Sequence, residues 1–159
     1  MKAIKMNKVL IALDYNPTAQ KVAEVGYSIS KAMGADCMLL HILSTPIIYT
    51  SVNYDPIMGF SGFEVLESYQ LNSELLSKSA LKYLETVKKH LGDSKIETSV
   101  KEGEFDLQIV ESAKIYHADL IVMGSHSQQW LEKIFIGSTT EGIIQISKIP
   151  LVIVPTKKE

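Results

Sequence analysis

The sequence predicts an α/β fold built on an open, five-stranded parallel sheet with helices on both faces. Three observations carry this expectation. Short runs of branched apolar residues recur along the chain, V-L-I-A-L at 9–13, C-M-L-L-H-I at 37–42, L-I-V-M at 120–123 and L-V-I-V at 151–154, the pattern of strands buried on both faces. Between them, apolar residues return at helical spacing. Parallel neighbours need crossovers, and intervening helices supply them along right-handed paths.

The elements follow in order. The first strand stops at Asp14, where Asn16 and Pro17 predict an N-cap with proline at the first helical position. Val22, Gly26, Ile29 and Met33 form the stripe of the first helix, which Gly34 ends. After the second strand, periodicity fails from about 43 to 67, where Pro46, Pro56, Gly59 and Gly62 alternate with Tyr49, Tyr54, Phe60 and Phe63. A connection that long is either functional or tacked down on the core, and the aromatic residues fit a lid as well as an anchor. Leu76, Ala80, Tyr83, Leu84, Val87 and Leu91 mark a second helix closed by Gly92. Ile96, Thr98 and Val100 alternate with charged or small residues, which suits a strand at the sheet edge. Gly103 breaks it, and Leu107, Ile109, Val110 and Ala113 carry a third helix to His117. The fourth strand, a fourth helix over about 139–147 and the last strand behind Pro150 complete the pattern.

At 159 residues, 46% hydrophobic and 21% charged, residues 1–159 read as a single domain with a sizeable core. A net charge of −2 gives no basic footprint for nucleic acid. No apolar run is long enough to span a bilayer, and Met1, Lys2, Ala3, Ile4 and Lys5 lack the core of a signal peptide. A cytoplasmic protein with no membrane partner is expected. The lone Cys37 has no thiol partner and reads as a small packed residue.

Function concentrates between 119 and 141, D-L-I-V-M-G-S-H-S-Q-Q-W-L-E-K-I-F-I-G-S-T-T-E. The strand is expected to break at Gly124, and Ser138 with Glu141 three residues later predicts a capping box opening a helix. A loop that leaves a strand and enters a helix offers unpaired N–H groups at the positive end of the helix dipole, a place for phosphate. Glycines at a strand end are equally ordinary turn residues, and spacing alone leaves both readings open. Asp14 is two-sided in the same way: it can accept from a ribose or stabilise its own turn. In open α/β sheets, ligands bind beyond the carboxyl ends of the strands where strand order reverses. If the first and fourth strands flank that crevice, Asp14 and the loop after Met123 face one site.

Other chemistries fit less well. No G-K-[ST] ending and no G-x-G-x-x-G follows the first strand. Ser125 and His126 are sequence neighbours and do not by themselves set a nucleophile against a base. His41 reads as a packed, hydrogen-bonded strand-end histidine, Glu141 as half of the capping box, and Trp130 as an anchor of its loop. An adenylyl-transfer or pyrophosphatase site would need a glycine- and serine-rich loop or an H-x-G-H pair after the first strand, where Asp14, Tyr15, Asn16 and Pro17 stand.

Asp14 after V-L-I-A-L, L-L-H-I in the second strand, A-D-L-I-V-M-G-S-H in the fourth, G-S-T-T-E nine residues after Ser127, and the closing P-L-V-I-V-P together resemble the universal stress protein family. The similarity covers nearly the whole chain apart from the long connection. It implies a Rossmann-like sheet in the order 3-2-1-4-5. The ATP-binding branch of that family carries G-x-x-G, nine residues, then G-[ST]; Gly124, Gly137 and Ser138 match, and Ser127 stands where the pattern has glycine. The resemblance places Asp14 on the ribose, the Ile42 backbone on the adenine and Thr139 on the phosphates. Its implied nucleotide set also takes in Ala12, Leu13, Met123, His126 and Ser127. It implies ATP, with Mg or Mn bridging the phosphates, little or no hydrolysis, and a homodimeric stress-response regulator paired through Leu151, Val152, Ile153 and Val154. The alternative is a member of the branch without ATP, acting as a dimerisation or partner-binding module. Replacing Gly124 by valine is expected to weaken ATP at least tenfold, about 1.4 kcal/mol, with the fold intact. At Ser127 a left-handed backbone would cost roughly 1 to 3 kcal/mol, while a hydroxyl bonded to phosphate returns about as much.

Overall fold

The computed structural model describes residues 4–15, 17–44, 62–125 and 137–156, with side chains described from 73 onward in the third segment. Nine elements follow one another: β1 (Lys8–Ala12), α1 (Ala19–Met33), β2 (Asp36–Leu43), α2 (Gly62–Leu91), β3 (Glu97–Glu102), α3 (Phe105–Tyr116), β4 (Leu120–Ser125), α4 (Ser138–Ile146) and β5 (Leu151–Pro155). The strands form a single sheet in the order β3-β2-β1-β4-β5, and every neighbouring pair is parallel. The expected architecture is therefore the observed one, with β3 and β5 at the edges.

Alternation along the strands divides the interior in two. Val9, Ile11, Leu39 and Val122 point to one face, where Val22, Ala23 and Leu84 of α1 and α2 cover them. Leu10, Leu40, Ile121 and Met123 point to the other, against Ile109, Val110, Ala113 and Ile143 of α3 and α4. Because both faces are covered, β1 has no solvent side: Val9, Leu10 and Ile11 are fully buried. α1 lies so close to the sheet that a Cβ on Gly26 would come within 2.8 Å of Ile11 Cδ1. Asp119, just before β4, binds that strand to β1: its carboxylate accepts from the backbone N–H of Asn7 at 2.7 Å and of Lys8 at 3.1 Å, and its own N–H donates to the Lys8 carbonyl.

Local signals misplaced several boundaries. α1 begins at Ala19, with Thr18 at the N-cap, so Pro17 belongs to the turn before the helix; Asn16 lies outside the described residues. β4 does not break at Gly124. It runs on to Ser125 because β5 pairs beside it, Gly124 with Val154 and Ser125 with Pro155, and long-range pairing outweighs the breaker tendency of one glycine. α2 extends back to Gly62, so Phe63 sits on a helix, whereas Tyr49, Tyr54 and Phe60, and with them the lid reading, lie outside the described residues. Leu76 is exposed although it keeps the helical spacing. Near that level Ser73 donates to Glu102, the last residue of β3. Leu107 is likewise exposed on α3 while Ile109, Val110 and Ala113 are buried. The helix ends match expectation more closely, with Gly34 and Gly92 at positive φ; His117 takes the left-handed cap of α3 at φ 57°.

Candidate functional site

Chain order reverses between β1 and β4. From β1 the chain winds outward through β2 to β3, and from β4 it winds the other way to β5. A cavity of about 300 Å³ opens at the carboxyl ends of these strands. Of the residues expected in a site, Ala12, Leu13, Asp14, Ile42, Met123, Gly124 and Thr139 line it. Gly137 and Ser138 open the helix that carries Thr139 but do not themselves line the cavity. His126 and Ser127 lie outside the described residues.

The floor is apolar, made by Val22, Leu40, Ile42, Ile109 and Met123, while Asp14, Thr18, His41, Thr139 and Thr156 supply polar groups. Among the described residues that line it there is no lysine. Such a cavity can take a flat apolar ring with a polar, hydroxyl-bearing tail.

The β1 side is held by hydrogen bonds from two other elements. Leu13 N–H donates to the Leu40 carbonyl at 2.9 Å. His41 Nδ1 lies 2.7 Å from the Leu13 carbonyl, and since a carbonyl only accepts, that nitrogen carries the proton. Tyr83 on α2 donates its hydroxyl to the Asp14 carbonyl at 2.7 Å. The Tyr15 ring rests on both, its centroid 4.3 Å from that of His41 and 5.0 Å from that of Tyr83. Burial first, then the negative charge of Asp14, pushes the Tyr83 hydroxyl up to about 12, so it remains a donor at any ordinary pH. His41 is buried, and the strand-end reading of it as packed and hydrogen-bonded agrees with this geometry.

The β4 side is built by packing. A Cβ on Gly124 would lie 2.8 Å from Thr156 Cγ2 and 3.0 Å from Val22 Cγ2. Glycine is needed there by the fold itself, which corrects the expectation that valine would leave the fold intact. Thr156 secures the same turn, with its hydroxyl donating to the Ser125 carbonyl and its N–H to Ser125 Oγ at 3.2 Å. The expected capping box is absent. Gly137, at φ −60° and ψ 154°, is the N-cap of α4, its carbonyl accepts from Glu141 N–H at 3.0 Å, and Ser138 is the first helical residue. From that position a serine hydroxyl is not placed as a cap, and glycine has no side chain to serve instead. Thr140 is buried and directs its hydroxyl to Met123 Sδ at 3.9 Å, tying the start of α4 to β4.

Sequence reasoning missed Thr18, Ala19, Val22, Leu40, His41, Phe105, Ile109 and Thr156 as cavity residues. Most stand at or just beyond a strand-to-helix junction or a strand end on the carboxyl side of the sheet, so extending the crevice argument to every such junction would have found most of them. Among the described residues no group of three or more histidine, cysteine or acidic side chains could hold a metal ion. Cys37 is a buried residue of β2, and its thiol is pushed up to about 11 by burial, consistent with a packed, unreactive residue.

Residues 5–155 match the profile of the Universal stress protein family. Universal stress protein MJ0577 of Methanocaldococcus jannaschii is 27% identical over 161 residues, covering 98% of each chain. Universal stress protein MJ0531 of the same organism is 29% identical over 154 residues, 96% of this chain and 84% of that one. The solved structure of MJ0577 superimposes with a TM-score of 0.73 at 25% identity, covering 98% of this chain and 100% of the other. A universal stress protein from Archaeoglobus fulgidus in complex with dAMP shares the fold at a TM-score of 0.57 and 18% identity, over 94% of this chain and 98% of that one. With a profile match across nearly its whole length and the same strand order, the chain belongs to the universal stress protein family.

Proposed function

We propose that this protein binds ATP in the cavity at the carboxyl ends of β1, β2 and β4, with little or no hydrolysis, as a homodimeric regulator in the stress response. The observation that carries the reading is the cavity itself: an apolar floor for a base, with Asp14 on one side and the start of α4 on the other. Asp14 accepts from the ribose hydroxyls and the Ile42 backbone meets the adenine edge, beside Ala12, Leu13 and Met123. The first N–H groups of α4, at Ser138 and Thr139, donate to the phosphates together with the backbone around Gly124, His126, Ser127 and Gly137. A Mg or Mn ion would be held chiefly by the phosphates, since among the described residues Asp14 is the one acidic residue lining the cavity. A universal stress protein in complex with cAMP and another with dAMP support an adenine nucleotide as the class of ligand.

Weak turnover fits the chain's cations. All 16 are lysines, so the chain supplies no arginine for a transition-state clamp, and among the described residues no lysine lines the cavity. β5 is an apolar edge strand whose Leu151, Val152 and Ile153 are half-buried, and pairing with the same strand of a second copy would cover it. Calorimetric titration is expected to show ATP binding; no heat and no bound nucleotide at millimolar ATP would overturn the reading and favour the branch that lacks ATP. Light scattering is expected to give a dimer that Val152→Lys weakens, and a monomer in both proteins would remove the β5 interface.

A further inference from the structure

Beyond Ala12 the chain leaves the sheet, and Leu13, Asp14 and Tyr15 belong to neither strand nor helix. An acidic side chain on such a segment would sample many positions unless its backbone were fixed from outside. Here it is fixed twice over. The Leu13 carbonyl accepts from His41 Nδ1 at 2.7 Å, and the next carbonyl, that of Asp14, accepts from Tyr83 at 2.7 Å. The two donors come from β2 and α2, elements at sequence distances of 28 and 69 residues, so they report the position of the whole α2 face to this turn. Both carbonyls bracket the Asp14 Cα, one peptide on each side. We propose that His41 and Tyr83 are positioning residues for nucleotide binding: by clamping the Leu13 and Asp14 carbonyls they hold the Asp14 carboxylate where it meets the ribose hydroxyls.

This deepens the nucleotide reading above and rests on it. Neither residue need touch the ligand's ribose to matter, because preorganising an acceptor removes the ordering cost from binding. His41 is buried and its protonated Nδ1 is fixed by its carbonyl partner, and Tyr83 stays protonated throughout the ordinary pH range, so the clamp is permanent rather than switched. Tyr15, in tilted contact with both rings, closes the same unit from the solvent side.

The test compares ATP with 2′,3′-dideoxy-ATP, which lacks the groups Asp14 would bind. Calorimetry on the full chain is expected to show wild type preferring ATP. Tyr83→Phe should weaken ATP about tenfold while changing dideoxy-ATP by less than about twofold, with the melting temperature showing a folded protein. His41→Leu should repeat that pattern, and His41→Asn, whose amide nitrogen can take the place of Nδ1, should recover ATP affinity to within about threefold. Equal losses for both nucleotides in Tyr83→Phe, or no loss for either, would overturn the positioning role while leaving ATP binding in place. Absence of binding to both nucleotides in wild type would instead overturn the nucleotide reading, and this inference with it.

Discussion

The two sides of the cavity are held in opposite ways. On the β1 side, Leu13 and Asp14 are fixed by three hydrogen bonds and a stack of aromatic rings, all within the protein. At the start of α4 the N-cap is a glycine with no side chain to turn back on the first N–H groups. Among the described residues, one side is tied by side chains and the other has no side-chain cap. On the reading proposed above, the difference is a division of labour, with a fixed acceptor for a hydroxyl-bearing group and helix N–H donors for an anion.

Four substitutions break or sharpen that comparison. Gly124→Val should have the largest effect, since neither neighbour of the new Cβ is the far end of a flexible chain: a loss of about 3 kcal/mol in folding stability, read by chemical denaturation. A fully stable variant would show that the β4 side is not built by packing. Asp14→Ala should leave the melting temperature nearly unchanged and weaken ATP roughly 30-fold, about 2 kcal/mol, through loss of charge-assisted hydrogen bonds. Calorimetry with unaltered affinity would remove Asp14 from the site. Ser138→Pro addresses the open side. Proline is tolerated at the first helical position, and Gly137 at φ −60° and ψ 154° already has the extended backbone that a residue before proline requires. The helix should persist in circular dichroism while ATP weakens by about tenfold, 1.4 kcal/mol, because one phosphate donor is gone. The smallest effect is expected at Ser127→Gly, under about tenfold, because strain relieved and a hydroxyl lost nearly cancel. Wild type silent at millimolar ATP while Ser127→Gly binds in the micromolar range would place the protein in the branch without ATP.

The sheet was legible because β1, β2, β4 and β5 announce themselves as apolar runs, while its order was implied by the resemblance to the family. What sequence could not give were boundaries decided by distant partners. Gly124 looks like a stop until β5 is beside it, and Leu76 keeps the helical spacing of the core face yet is exposed. The site was half legible for the same reason. Asp14, Ile42, Gly124 and Thr139, which line the cavity, were named through the resemblance to the family, whereas Phe105 and Thr156 reach the cavity through tertiary neighbours and His41 and Tyr83 bond a backbone that no motif describes.

The pairing of β1 with β4 also sets a timetable. Val9 lies beside Leu120, and the Asp119 carboxylate ties the two strands across a separation of 112 residues to Asn7. The cavity's two walls therefore start far apart in the chain, and the loop between them must close before either meets the other. β1, β2 and α1 can associate early through nearer contacts, but a chain emerging from the ribosome would carry β1 with one unpaired, fully apolar edge until β4 follows. During that interval the nascent protein has the β1 and β2 wall of its cavity and not the β4 and α4 wall. On the nucleotide reading proposed above, ligand capture becomes available only after β4 and α4 have docked, so nucleotide would stabilise the finished fold and not template its first half.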